Sequence, residues 1–381
     1  MDKAYVFYGP DHEFEAYVAE TITGTGRTDF SEFIRRLDEK SRRLYVAQDG
    51  DDQFEPDSSM KVENLVVSSD EYASVRDHVI LNFDGFLSTN RIENLFVQNP
   101  PLAIAKKLEF LASDSVIKHY EYPRLTKPLL KTFHQGIEDE VVGQETAIKD
   151  LLISLYPLTR EAFRKPVVIL FFGPSGVGKT ETAKFLSKQL GGELFRKQMS
   201  MFQNSDFMTY LFGGNHQEDS FAKDLLKRKT NVILLDEFDK ANPVFHSAFY
   251  QLFDEGLFVD KNYTATLDSP VIICTSNYTT KEEVRNQLGD PIFSRFDAMV
   301  RFDSLGPESS AVITKRLLRR EISLLSVEEA ELVETSKIEA QFEPYYNSLK
   351  NARVIERLVK EVVYSKLLAG LLDAKDPAEA P

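Results

Sequence analysis

The sequence predicts an α/β fold: a doubly wound parallel sheet, a separate mixed α/β domain before it, and a small helical domain after it. Three observations predict this. Val167–Phe172 (VVILFF), Val232–Leu235 and Val271–Thr275 are continuously apolar, as strands buried on both faces of a parallel sheet are. Helical stretches separate them, at Thr180–Leu190, Phe221–Lys229 and Pro243–Phe253, and strand–helix alternation winds helices over both faces of a sheet. After Asp303 the strand-like runs stop, and Glu308–Ile322 and Asn351–Leu371 read as helices.

The 381 residues suffice for two to three domains at roughly 150 residues each. In the first 125 or so, Ala4–Tyr8, Leu44–Ala47, Asn64–Ser68 and Val79–Phe83 are short apolar runs suited to strands. Phe30, Phe33, Ile34 and Leu37 fall at i, i+3, i+4 and i+7 and predict a helix that Thr28 or Asp29 can cap. Gly50–Met60 is acidic and contains a proline, which suits an exposed loop. A second helix follows Pro101, with Leu102, Ala105, Leu108 and Ala112 on one face, and residues 113–140 read as a connection. No internal repeat is visible in the sequence. Asp373–Pro381 reads as a frayed tail.

Formal net charge is −14, which repels phosphate backbones and argues against a nucleic-acid partner. The single cysteine, Cys274, cannot make an intrachain disulfide, and its place on an apolar strand suits a core residue. The N-terminus lacks the basic start and apolar stretch of a signal peptide. The longest apolar run, Val167–Phe172, is far too short to span a bilayer. Together these features suggest a cytoplasmic protein with no membrane partner.

Gly173-Pro174-Ser175-Gly176-Val177-Gly178-Lys179-Thr180 fits G-x-x-x-x-G-K-[ST] at every position. It follows a predicted strand and opens a predicted helix, the context the motif requires. Its glycines let backbone N–H groups turn inward around phosphate oxygens, and the helix start adds its dipole. Lys179 is placed to bridge β- and γ-phosphates, and the Thr180 hydroxyl to hold Mg²⁺. Glu181 completes the candidate nucleotide-binding set, with ATP and Mg²⁺ as cofactors.

Val232–Leu235 ends in Asp236-Glu237. A buried strand ending in carboxylates delivers them to the carboxyl edge of the sheet, where ligands of open α/β folds bind. Asp236 suits a Mg²⁺ partner, and Glu237 suits the orientation and polarisation of an attacking water. Val271–Thr275 leads to Asn277, which could hydrogen-bond the γ-phosphate or the lytic water.

Asp236-Glu237-Phe238-Asp239-Lys240-Ala241-Asn242-Pro243, then Gln251-Leu252-Phe253-Asp254-Glu255-Gly256 and Thr275-Ser276-Asn277, resemble the AAA+ module of Clp-type unfoldases and disaggregases, in particular their second ATPase module. Val142-Gly143-Gln144-Glu145 resembles the element that packs on adenine in that family. Phe293-Ser294-Arg295-Phe296-Asp297 resembles its arginine-finger segment, and Asn351-Ala352-Arg353 its sensor 2. The resemblance spans about residues 138–371. It implies a P-loop AAA+ core with a C-terminal helical lid, ATP hydrolysis, and a homo-oligomeric ring, six-membered by expectation. It implies Asn277 as sensor 1, Arg353 reaching nucleotide from the lid, and Arg295 acting on ATP held by a neighbouring subunit. It also implies Val142 near the base. The expected organisation is an N-terminal partner or cargo domain (1–130), a large nucleotide-binding subdomain (138–304), a lid (305–372) and a tail (373–381).

The pattern breaks between the second helix and Asp236. Clp unfoldases carry Gly-Tyr-Val-Gly there to grip a threaded chain, whereas this sequence runs Leu211-Phe212-Gly213-Gly214-Asn215-His216-Gln217-Glu218-Asp219-Ser220-Phe221. Phe212 suits packing and His216 suits exposed loop. Asn351 replaces the sensor 2 glycine. Three functions therefore stand side by side: a ring that remodels a protein partner, an ATP-controlled assembly switch or adaptor, and a nucleic-acid motor disfavoured by charge.

Overall fold

In the first sheet, the inner strands bury successive residues on opposite faces. The computed structural model describes residues 3–22, 24, 26–48, 59–111, 115–202, 207–333 and 335–373. Its first strands are β1 (Lys3–Tyr8), β2 (Arg27–Asp29), β3 (Lys61–Val67), β4 (Arg91–Gln98) and β5 (Ser115–His119). They form one all-parallel sheet in the order β2-β3-β4-β1-β5. Val6, Leu65, Val67, Leu95 and Val97 share one core with Phe30 and Phe33 of α2 (Phe30–Gln48) and Ile104 and Leu108 of α3 (Leu102–Leu111). Phe7, Val66 and Phe96 share another with Phe14 and Val18 of α1 (Asp11–Thr21). Period-two strand geometry supplies both faces at once, and each fully buried aliphatic or Phe side chain contributes about 1.5–3 kcal/mol. Tyr5 stacks on Phe96 with ring centroids 4.5 Å apart.

This unit also takes in residues 202–231 and 242–268, including the helix Phe221–Leu226 and the antiparallel ribbon Leu257–Val259 with Thr264–Thr266. Phe221, Phe249 and Phe258 pack edge-on and tilted against each other.

Some expectations for this unit are corrected. Leu44–Ala47 is not a strand but the last part of α2, because nothing between residues 30 and 48 breaks the helix. Val79–Phe83 is not a strand either. Helices Asp77–Leu81 and Phe83–Ser88 occupy it, and the buried Val79, Ile80, Phe83 and Leu87 fall at i, i+1, i+4 and i+8. His216 is buried with Nδ1 3.3 Å from Asp77 Oδ1, while Phe212 is 41 % exposed, the reverse of what the sequence suggested. Residues 50–58 of the expected loop and 374–381 of the expected tail lie outside the described residues.

The second unit comprises residues 124–201, 232–241 and 269–381. Helices α4 (Lys127–Glu140) and α5 (Glu145–Leu155) precede a second five-stranded parallel sheet. Its strands are β6 (Val167–Phe172), β7 (Phe195–Gln198), β8 (Val232–Asp236), β9 (Val271–Ser276) and β10 (Ala298–Arg301), in the order β7-β8-β9-β6-β10. Every residue of β6, β8 and β9 is buried, as their continuous apolarity requires. Helix α6 (Lys179–Gln189) follows β6. The C-terminal helices α7 (Pro307–Ile322) and α8 (Ala352–Asp373) close a small core of Leu318, Ile338, Ile355, Val359 and Val363. Residues 323–350 hold helices Val327–Leu332 and Thr335–Phe342 and, among the described residues, no strand.

Candidate active site

The loop between β6 and α6 turns at Gly178, whose φ of +109° lies in the left-handed region that favours glycine. There α6 begins, presenting backbone N–H groups that no preceding turn can satisfy. Lys179, first in the helix and buried, donates from Nζ to the carbonyl oxygens of Gly173 (2.5 Å) and Pro174 (2.8 Å) and to Asn277 Oδ1 (3.2 Å). Burial lowers its pKa to about 8, against the opposing pull of Asp236 and Asp239. A desolvated ammonium facing neutral oxygens, at a helix start with inward N–H donors, fits the phosphates of a nucleotide. Thr180 follows in the first turn of the same helix.

The two carboxylates end β8, and each is held from both sides. Asp236 Oδ1 accepts from Thr275 Oγ1 at 2.6 Å, and its Oδ2 accepts from Arg196 Nε at 3.0 Å. Glu237 has φ +54°, a left-handed conformation costing a non-glycine residue about 1 kcal/mol or more. Its N–H donates to the same Thr275 hydroxyl at 2.8 Å, and its Oε2 accepts from Gln198 Nε2 at 2.5 Å. Arg196 and Gln198 are two apart on β7, so one strand face supplies both partners. Arg196 and Gln198 were not singled out from the sequence, and Thr275 entered only as part of the Thr275-Ser276-Asn277 motif, without a role of its own. Phe195–Gln198 is polar and short, so it carries no buried-strand signature.

The lid region touches the phosphate loop directly. Asn351 donates from Nδ2 to the Ser175 carbonyl at 2.9 Å, and the Ala352 N–H donates to the Gly176 carbonyl at 2.9 Å. Asn351 Oδ1 accepts from the Arg353 N–H at 2.9 Å and so caps α8. Arg353 lies in that first turn, near enough to Lys179 to depress its pKa. Val142 precedes Gly143 and Gln144. The buried Gln144 side chain exchanges two hydrogen bonds with the Asp303 backbone, which fixes this element at the end of β10.

Arg295 stands apart. Its neighbour Asp297 pairs with Val168 twice, through its own N–H and through Oδ2, both at 2.8 Å. Val168 is at the amino end of β6, and Gly173 lies five residues further along the strand direction, about 16 Å away at the usual rise per residue. The structure thus brings together Lys179, Asp236, Glu237, Asn277 and Arg353, but not Arg295. Cys274 is buried, and burial pushes its thiol pKa up. Among the described residues no helix is long and apolar enough to cross a membrane.

Residues 164–337 match the family model described as the AAA domain of the Cdc48 subfamily. A ClpA homologue from Fuscovulum blasticum is 29% identical over 278 residues, covering 65% of this chain and 35% of that protein. The human mitochondrial disaggregase is 30% identical over 243 residues, covering 59% and 34%. The chaperone ClpB of Bacillus cereus is 27% identical over 288 residues, covering 64% and 33%. The chain spans about a third of the length of these relatives. A structure of Hsp104 with ATPγS and casein superposes with a TM-score of 0.56 at 16% identity, covering 97% of this chain and 88% of that chain. The S. cerevisiae Hsp104–ADP complex gives 0.51 at 22% identity, covering 64% and 48%. The α/β fold with its P-loop core is thus the AAA+ fold; residues 164–337 are similar to the AAA domain, and the chain is similar to Clp-type AAA+ ATPases.

Proposed function

We propose that this chain, through its Clp-type AAA domain, hydrolyses ATP within a homo-oligomeric ring, six-membered by expectation, and uses the cycle to remodel a protein partner. The observation that carries this reading is the meeting of Lys179, Asn277, Asp236 and Glu237 at the carboxyl edge of one sheet. Lys179 and the N–H groups of residues 173–181 hold the phosphates. Glu237 orients and polarises water, and Asn277 fixes that water or the terminal phosphate. Thr180 and Asp236 would hold Mg²⁺, which when bound neutralises phosphate charge. Arg353 approaches from the lid, and Val142 lies toward the base.

Arg295 serves a neighbour's nucleotide. Its tether at the far end of β6 supports this, because about 16 Å exceeds the reach of one side chain. Residues 138–304 and 305–372 act as large subdomain and lid, and residues 1–130 select the partner. The chaperone and disaggregase names of the relatives support protein remodelling, and a cytoplasmic setting suits a buried free thiol.

Steady-state phosphate release tests this. Glu237→Gln should lose roughly 10²-fold or more in turnover while ATP still binds. Undiminished turnover would sink the assignment.

One observation favours the second reading, an ATP-controlled assembly switch that recruits an effector without threading. The stretch where Clp unfoldases carry their gripping loop is tied down: Gly214 accepts from Asn262 Nδ2, His216 pairs with Asp77, and Gln217 donates to the Val75 carbonyl. ATP-dependent unfolding of a tagged substrate, lost on changing Gly213–Asn215, would reject the switch.

A further inference from the structure

The two sheets have one topology. Ranked along the chain, the strands of the first sheet run 2-3-4-1-5, and those of the second, β7-β8-β9-β6-β10, run 2-3-4-1-5 as well, all parallel. Local anchors coincide too. β1 and β6 are each six residues long and each runs straight into Gly-Pro, Gly9-Pro10 and Gly173-Pro174. The residue after the fifth strand donates to the last residue of the first: Tyr120 N–H to the Tyr8 carbonyl, Phe302 N–H to the Phe172 carbonyl, both at 2.8 Å. That residue also crowds the glycine. A Cβ at Gly9 would lie 2.6 Å from Tyr120 Cβ, and one at Gly173 would lie 2.1 Å from the Phe302 carbonyl oxygen. The helices that follow, α1 and α6, are both eleven residues long. A repeat invisible in the sequence is therefore present in the fold.

The copies differ at the phosphate position. Ser175-Gly176-Val177-Gly178 separates Pro174 from α6, whereas α1 begins directly after Pro10. The first helical residue is Lys179 in one copy and Asp11 in the other. In both, that side chain meets an amide at the end of the fourth strand, with the polarity reversed. Lys179 donates to Asn277 Oδ1, whereas Asp11 Oδ1 accepts from Gln98 Nε2 at 2.8 Å. Buried side chains fill the remaining space. Asn99 exchanges hydrogen bonds with both backbone groups of Gly9 and donates to Ser69 Oγ, and Gln98 bonds the Gly9 carbonyl and the Ser69 N–H. An acidic first residue repels a phosphate, and the closed amide network takes up both backbone groups of Gly9 that would otherwise face one.

The acidic end is occupied by a cation of the same chain. Lys227 Nζ contacts Asp70 and lies 3.7 Å from Asp11 Oδ2. The next residue, buried Arg228, stacks on Tyr122 with its guanidinium carbon 4.0 Å from the ring centroid, and its carbonyl accepts from Tyr122 Oη at 2.8 Å. We propose that residues 3–122 are a second copy of the nucleotide-binding fold whose phosphate end has been reversed in charge and rebuilt as a socket for Lys227. This copy takes no nucleotide; it fastens residues 207–231, which lead into the strand that carries Asp236 and Glu237.

Two measurements on the full chain test the proposal. Calorimetric titration with ATPγS should give one site per chain, and none in Lys179→Ala. A full site remaining in Lys179→Ala overturns the sealed copy. Amide exchange should show that Lys227→Glu, which sets a third carboxylate beside Asp11 and Asp70, loses roughly fivefold or more protection in residues 9–14 and 221–228. Protection in β6 and α6 should be unchanged. The combined Asp11→Lys, Asp70→Lys, Lys227→Glu variant should regain protection. Lys227→Met serves as the milder variant, with a smaller loss in the same segments. Unchanged exchange in both single variants overturns the socket.

Discussion

Gln198 Nε2 donates to Glu237 Oε2 at 2.5 Å, while Glu237 itself sits at φ +54°. The candidate general base is held by an amide from the edge strand and by a backbone it does not favour. A carboxylate that donates electron density to an amide has less to offer a water. Gln198→Ala should therefore raise basal ATP turnover, by up to about tenfold, the kinetic equivalent of ~1.4 kcal/mol, without changing ATP affinity. Single-turnover phosphate release with binding measured in parallel checks this, and a fall in turnover contradicts it.

Thr275 serves Asp236 and Glu237 with one hydroxyl, donating to a carboxylate and accepting an N–H. Thr275→Val keeps the shape and strands both partners in a buried setting. Losses of about 1–3 kcal/mol per stranded group are expected. Urea denaturation should show a lowered midpoint for valine and a nearly native one for Thr275→Ser.

Lys179 in the nucleotide-free protein holds its proton to about pH 8, whereas an unfolded lysine holds it to 10.5. Between those values the unfolded chain binds more protons, so stability should rise with pH across the window. Phosphate needs the ammonium, so nucleotide affinity should fall over the same window, approaching about tenfold per pH unit. Opposite slopes in denaturation and in binding are the expected result. Lys179→Met should flatten both, and parallel slopes would refute the assignment.

Arg295 and Lys179 should complement one another between chains. Arg295→Ala alone should lose turnover, by roughly 10³-fold if it acts as arginine fingers do. Mixing it with Lys179→Ala should restore part of the activity, because some interfaces then pair an intact loop with an intact arginine. No recovery in mixtures shown by native mass spectrometry to exchange subunits counts against action in trans.

Asn351 caps α8 and ties it to the phosphate loop. Asn351→Ala should cost about 0.5–2 kcal/mol of stability as a lost cap. Nucleotide release should quicken as the lid loosens, as stopped-flow displacement of a fluorescent ADP would show. Asn351→Asp keeps the cap but not the amide donor, so it should preserve stability and still release faster.

The second sheet was legible because its strands are buried on both faces, which leaves VVILFF and its kin no other reading. The phosphate loop and Asp236-Glu237 were legible because local spacing encodes them. Arg196 and Gln198 were not, because their importance depends on β7 lying beside β8, a pairing that a four-residue polar strand does not advertise. In the first sheet, β4 was missed although Asn94–Gln98 is largely apolar, and Val79–Phe83 was mistaken for a strand because a short apolar run is silent on period until its neighbours are known. Asp11, standing where the other copy has Lys179, became meaningful only once two strand orders could be compared.

Strand β6 has no give. Its six residues are buried throughout; the phosphate loop leaves one end, and Asp297 pins the arginine segment near the other. If each arginine reaches the next subunit's ATP, this strand is a ruler, and successive nucleotides around the ring are spaced by its length. A shift of the loop on hydrolysis would then arrive at the adjoining subunit as a push along a rod, with no hinge on the way to absorb it.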